Sequence, residues 1–235
     1  MAITVLITGF GPFPGAPFNP TMALPARLAA RRRPRFADVK RIPLVFQTSY
    51  AAVERELPAL IKRIRPDVVL LFGVATRTNY LRIELRARNA RSILFPDAVG
   101  ERPGAGAIAA GEPGVRPGRA PHRALLAAVR AQRIAARLSH TAGRYLCNFA
   151  YWHALAATES GRAPLVQFVH VPTVRHGAMH PGDRRRLTSA DLRRAGEAIL
   201  MALVTAARVR RRPTRTQAAA TVVPAEAQGK YRRVG

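Results

Sequence analysis

Lysine is nearly missing from this 235-residue chain: only Lys40, Lys62 and Lys230 occur, so almost all of its 39 basic residues are arginine. Acidic side chains are scarce too, 13 in all, which leaves a formal charge of +26. There is one cysteine, Cys147. A lone thiol excludes an intramolecular disulfide and a multi-cysteine zinc site, so any chemistry it does is that of a single nucleophile or redox-sensitive group. No apolar run approaches the length of a membrane span, which leaves no membrane partner. Met1–Thr8 carries no basic leader and no cleavage site and reads as a first strand. With a single cysteine, that points to the cytoplasm.

The charge invites a nucleic-acid reading, but its distribution argues against one. Arginines are scattered through a chain rich in Ala and Pro, with short runs at 31–33, 184–186 and 210–212. Few aromatics interleave with those runs, as base stacking would require. The expectation is a solvated basic surface that binds nucleic acid only non-specifically, at low salt.

What is present is a core-forming chain, 48% hydrophobic, without internal repeats. Its length suits one domain at 1–209, followed by a basic, disordered tail at 210–235. Strand-like runs at Ile3–Thr8, Lys40–Phe46, Asp67–Gly73, Leu81–Arg88, Ala136–Ser139 and Leu165–Val171 alternate with helical spacing. The helical segments are Met22–Arg33, Ser49–Arg65, His122–Arg133, Asn148–Thr158 and Ser189–Val209, the last with Ser189 as its N-cap. The alternation predicts an α/β fold, a three-layer α/β/α sandwich around a mostly parallel, twisted sheet. Pro96–Pro121, loaded with Gly and Pro, reads as a long functional or interface loop.

Four segments carry residues suited to chemistry. Ala142-Gly143-Arg144 is turn-prone, which puts Cys147 at a helix start, where free N–H groups and the dipole favour thiolate; ordinary packing of a buried cysteine is the competing reading. Leu165–Val171 delivers His170 near the C-terminal end of a buried strand, where active sites of open α/β sheets gather, although a hydrogen-bonded structural histidine fits equally. Alternation along Leu81–Arg88 sets Arg82, Glu84, Arg86 and Arg88 on one face, either as a surface ion-pair ladder or with Glu84 orienting an imidazolium. Thr8–Pro20 has the glycines of a dinucleotide loop, but Pro12, Pro14 and Pro17 forbid an immediate helix. It reads as a rigid loop presenting Phe10 and Phe13, as pocket walls or core plugs. His176, His180 and Asp183 are a weak metal trio, since Gly177 and Pro181 interrupt any helix between them, and no metal or cofactor is expected.

Together these segments resemble the pyroglutamyl peptidase I (pyrrolidone-carboxylate peptidase) family of cysteine peptidases. Thr8–Phe13 with Asn19-Pro20 matches its N-terminal motif, and Glu84 with Asn89 matches its Glu-x-x-x-x-Asn. Ser139–Asn148 matches Ser-x-x-Ala-Gly-x-x-x-Cys-Asn, and Phe168–Pro172 is similar to Phe-Ile-His-Val-Pro. The resemblance runs from about residue 3 to 205. It implies a Cys147 nucleophile, a His170 base and acid, and a Glu84 that orients His170. It implies also that Phe10 and Phe13 enclose a lactam ring, with Asn19 supporting the pocket and Tyr145 keeping the family's aromatic. The substrate implied is a peptide with N-terminal pyroglutamate, cleaved through a thioester, and the assembly implied is a homo-oligomer, a tetramer or dimer. The chain departs from the pattern where a family threonine is Leu44, where a glutamine is Val74, and where an arginine is Leu94; Arg88 or Arg91 stands nearby. These departures motivate an alternative from another class, an altered homologue that serves as a basic polyanion-binding or scaffold protein. Metal-dependent hydrolysis through His176 and His180 is a third.

Overall fold

In the computed structural model, residues 2–14, 16–92, 96–158, 164–174 and 186–211 are described. Six strands form the central sheet: β1 (Ile3–Phe10), β2 (Val39–Phe46), β3 (Val68–Val74), β4 (Leu81–Glu84), β7 (Ala136–Ser139) and β8 (Leu165–Val171). Their spatial order is β2-β1-β3-β8-β4-β7. The first four in that order are parallel, β4 runs antiparallel to β8, and β7 is parallel to β4. The sheet is thus mostly parallel, as the alternating pattern requires, with two reversed strands at one side.

Strand alternation sends successive side chains to opposite faces, and each face has its own helices. Ile3, Val5, Ile7, Val68, Leu70, Phe72 and Val169 pack under α1 (Leu24–Ala29), α3 (His122–Ala131) and α5 (Ser189–Arg211). Leu6, Phe10, Val69, Leu71, Val166 and Phe168 pack under α2 (Tyr50–Ile64) and α4 (Leu146–Ala156). Three layers result. The local chemistry of the helices is readable: Ser49 caps α2 by accepting from the Ala52 N–H, Arg65 ends it in a left-handed conformation, and Tyr50, Val53, Leu57 and Ile61 supply its buried stripe.

Several boundaries differ from the sequence expectation, each for a visible reason. Helix α1 stops at Ala29, and Arg33 is extended ahead of Pro34, as a residue before proline prefers. The cap of α5 is Thr188, not Ser189: its hydroxyl accepts from the Asp191 N–H at 3.1 Å while Asp191 accepts from the Thr188 N–H at 2.9 Å, a reciprocal capping box. The same helix runs on to Arg211, whose guanidinium grips Asp67 at 2.6 and 2.8 Å. Pro96–Pro121 is not irregular throughout, because β6 (Val115–Pro117) pairs with β5 (Arg86–Arg88) in a small second sheet. The expected strand Leu81–Arg88 therefore breaks at Leu85. Its N–H donates to Ser139 O in the main sheet, while its carbonyl accepts from Gly118 N beside the small one. The proposed metal trio at 176, 180 and 183, Leu94, and all of the tail from 212 lie outside the described residues. Among the described residues no helix is long and apolar enough to cross a membrane.

Candidate active site

The parallel strands end together at one edge of the sheet, and register aligns their last residues into a row. Phe10 pairs with Phe46, Gly73 with His170, and His170 in turn with Arg82. Residues paired this way present side chains to the same face, here the face under α4. One step down β4 on that face is Glu84.

Cys147 is the second residue of α4, and its sulfur lies over Gly73. A Cβ on Gly73 would stand 2.7 Å from the Cys147 Sγ and 2.7 Å from the Phe168 Cζ. A buried strand glycine of this kind marks a close approach by another group. The missing side chain is what lets the thiol reach the sheet beside His170.

His170 is buried, with its ring 4.9 Å from that of Phe168, and its Nδ1 is 2.7 Å from the Glu84 Oε1. Glu84 is 0% exposed, which rejects the surface-ladder reading for this residue. The rest of the supposed ladder also dissolves at the Leu85 break. Arg86 Nε donates to the His140 carbonyl, and the Arg88 N–H donates to the Asn148 side chain. Asn148, next to the thiol, closes the clamp by donating from Nδ2 to the carbonyls of Arg88 and Ala90 at 2.8 and 3.1 Å.

Electrostatics correct the expectation of a resting thiolate. Burial pushes the Cys147 thiol up to about 12, and the negative Glu84 adds to the shift. Arg82 and the residue's own N–H at the helix start pull the other way and are outweighed. Burial also drives His170 below its ordinary value, against the opposing pull of Glu84. The resting pair is a neutral thiol beside a neutral imidazole. With Glu84 accepting from Nδ1–H, the Nε2 lone pair is left free to accept a proton.

Beside the thiol is a cluster of aromatic rings. The Phe13 and Tyr145 rings are 6.1 Å apart, and Tyr145 meets Tyr50 edge-on at 5.8 Å. Tyr145 OH donates to the Pro96 carbonyl at 2.8 Å, which ties the N-cap of α4 to the loop above α2. Phe10 is buried and packs on Phe46 at 6.2 Å, so in this structure it is a core residue. Asn19 holds the loop between them: Nδ2 donates to Gly11 O at 2.9 Å, and Oδ1 accepts from both the Thr21 N–H and its hydroxyl. Thr48 OH donates to the same Gly11 carbonyl at 2.9 Å.

Leu44 is half-buried against this layer, paired with Thr8. Val74, by contrast, follows Gly73 on the strand, and alternation turns it to the opposite face from the thiol. Of the residues singled out from sequence, Cys147, His170, Glu84, Phe13 and Tyr145 converge on this edge, with Asn19, Phe10 and Leu44 behind them. Gly73, Tyr50 and Thr48 were not singled out from sequence, and Arg82 was read only as a rung of the ladder. Only Gly73 carried a local signal, a glycine within an otherwise continuous apolar strand.

A thiol, an imidazole on the neighbouring strand and a buried carboxylate behind it are the equipment of a cysteine hydrolase, mounted here on an α/β sandwich. The chain belongs to the pyroglutamyl peptidase family, whose model matches residues 3–209. It is 34% identical over 173 residues to a pyrrolidone-carboxylate peptidase of Thermococcus kodakarensis, covering 72% of this chain and 80% of that one. A pyrrolidone-carboxylate peptidase of Cupriavidus pinatubonensis is 31% identical over 212 residues, covering 88% of this chain and 96% of that one. Among solved structures, the pyrrolidone carboxyl peptidase of Thermus thermophilus superposes with a TM-score of 0.72 at 28% identity, covering 84% of this chain and 99% of that one.

Proposed function

We propose that this protein is a cysteine exopeptidase that removes N-terminal pyroglutamate from peptides, with Cys147 as nucleophile, His170 as base and then acid, and Glu84 as the group that orients His170. The observation that carries the reading is the seating of the Cys147 sulfur over the bare backbone of Gly73, in register with a His170 bonded to a fully buried Glu84.

The chemistry follows from the groups present. As the sulfur attacks the carbonyl between pyroglutamate and the next residue, its proton passes to His170 Nε2, and the carbonyl electron pair moves onto oxygen. Tyr145, the N-cap of α4, makes no side-chain capping bond, and the first backbone bond of the helix is Phe149 N to Tyr145 O. The N–H groups of residues 146–148 are therefore available to hold the oxyanion. When the carbonyl re-forms, the C–N bond breaks and His170 returns the proton to the leaving amine. Water, deprotonated by His170, then hydrolyses the thioester and restores the thiol.

A pyroglutamyl ring is flat, neutral and small, which suits the walls of Phe13 and Tyr145 backed by Phe10 and Leu44. Arg91, whose buried Nε has no partner among the described residues, stands in this reading for the arginine replaced by Leu94. The domain is taken to extend to the end of α5 at Arg211, two residues beyond the expected 209, with the basic stretch after it a dispensable tail, in a cytoplasmic homo-oligomer. The exposed Val99 and Val115 of the 96–121 segment are candidate contact residues, and light scattering of the purified protein tests the association.

The decisive experiment measures release of a fluorogenic amine from its pyroglutamyl amide. Wild type releases it and is blocked by thiol alkylation, whereas Cys147→Ser, with an unchanged circular dichroism spectrum, does not. Equal release by both proteins overturns the reading.

A further inference from the structure

Among the described residues, a cation stands directly against the proposed proton-transfer groups: Arg82, a residue with no part in the scheme above. It is paired with His170 across the antiparallel β4–β8 ladder, so its side chain shares the face of His170 and Glu84. Its Nε donates to Glu84 Oε1 at 3.0 Å, and Nη2 lies 3.2 Å from His170 Nδ1. The same Nη2 donates to the Thr141 carbonyl at 3.2 Å, in the loop that leads to the nucleophile helix. Because Nδ1 already offers its proton to Glu84, the Arg82 N–H and the His170 N–H converge on one carboxylate oxygen. Oε2 of Glu84 is buried without a partner among the described residues, so this shared oxygen is where the carboxylate is engaged.

We propose that Arg82 is a positioning residue that sets the pH window of the site, destabilising the imidazolium of His170 while stabilising the thiolate of Cys147. The proposal rests on the reading of Cys147, His170 and Glu84 as the reacting set. A fixed positive charge a few ångströms from both groups opposes one protonated cation and favours one anion, so both protons become easier to remove. Among the described residues, the other charged and titratable groups around them are Glu84 on β4, Cys147 and Tyr151 on α4, and Tyr50 and Tyr145, whose phenols face the thiol and are raised by burial. Tyr151 donates its hydroxyl to the Glu84 carbonyl at 3.2 Å, and burial raises its phenol so far that it stays neutral. Arg86, the next arginine on the chain, turns away to the His140 carbonyl. Arg82 lowers both His170 and Cys147, and Glu84 raises both.

The arrangement has a chemical consequence. Glu84 pulls the imidazole toward its protonated form, against burial, and makes the thiol more reluctant to ionise. Arg82 offsets that without displacing the carboxylate from its orienting bond, so His170 stays unprotonated, ready to act as a base, to lower pH.

The test replaces the charge but keeps a donor. Arg82→Gln retains an amide N–H for the Thr141 carbonyl, and Arg82→Lys retains the charge. Two readouts are taken: the acid limb of kcat/KM for a pyroglutamyl amide, and the rate of Cys147 alkylation by iodoacetamide at pH 9. Since Arg82 is 23% exposed at its side chain and shares its charge with Glu84, the low end of charge-pair shifts applies. In Arg82→Gln the acid limb moves up by about one pH unit, and alkylation slows about tenfold. Arg82→Lys leaves both near wild type. A lowered plateau with an unmoved acid limb in Arg82→Gln overturns the proposal and leaves Arg82 a structural tie. If Arg82→Gln does not fold, Arg82→Lys decides: it has lost the fork geometry but not the charge, so an upward-shifted limb in it refutes the charge-based account. Should no pyroglutamyl amide be turned over, alkylation still reports on the thiol, so the two readings fail separately.

Discussion

Adding a single methyl group at Gly73 is the sharpest perturbation the structure offers. An alanine Cβ there would stand 2.7 Å from the Cys147 sulfur and 2.7 and 3.0 Å from two atoms of the Phe168 ring, where ordinary contact begins near 3.4 Å. About 0.7 Å must therefore be made up on each side. Phe168 cannot yield easily, since it is fully buried with Tyr151 at 5.8 Å and His170 at 4.9 Å between ring centroids. Helix α4 is held as well, by the Asn148 clamp to residues 88–90. The thiol is the group with freedom to turn, and turning carries it away from His170. A misplacement approaching 1 Å at a reacting atom costs on the order of 10²-fold in rate. Overpacking a core by one carbon costs about 1–3 kcal/mol, offset by roughly 0.4–1 kcal/mol for stiffening the unfolded chain. At about 2–4 °C per kcal/mol for a chain of this size, melting falls by only a few degrees. Gly73→Ala is thus expected to fold, to lose about 10²-fold in kcat on a pyroglutamyl amide, and to keep KM within a few-fold, because the Phe13 and Tyr145 rings are untouched. Activity within twofold of wild type refutes the placement of the thiol over Gly73.

Two further outcomes follow from the site. With its thiol raised to about 12, free enzyme should be alkylated by iodoacetamide ever faster from pH 7 to pH 10, roughly tenfold per pH unit, as thiolate is only a minor species there. A plateau reached below pH 8 would show a preformed thiolate and contradict the account of burial. Asn19→Ala removes the donor to Gly11 O and the acceptor for Thr21, freeing the loop that carries Phe13. Thr48 still serves Gly11, so KM should rise about tenfold with kcat little changed, read from initial rates over a range of substrate concentrations. A fall in kcat at constant KM would mean that Asn19 acts on the reacting groups instead.

The residues that sequence made legible share one property: each is announced by its immediate neighbours. Strand periodicity ends at Val171 with Pro172 next, so His170 was marked as a strand-end histidine. The Ala-Gly-Arg turn before Cys147 marked the thiol as the start of a helix. What stayed hidden depends on which strands become neighbours. Arg82 looked like one rung of a charged ladder because local alternation groups it with Arg86 and Arg88. Only the antiparallel pairing of β4 with β8 sets it opposite His170, and only the switch to β5 at Leu85 removes the other two. The thiol itself shows the same division in energetic form. A helix start favours thiolate, and that contribution is present. It is local, however, whereas the desolvation that outweighs it is imposed by α4 packing against Phe168 and the strand carrying Gly73, a contact between segments more than seventy residues apart. The candidate nucleophile was therefore marked by a short segment, but its protonation state is set by the fold.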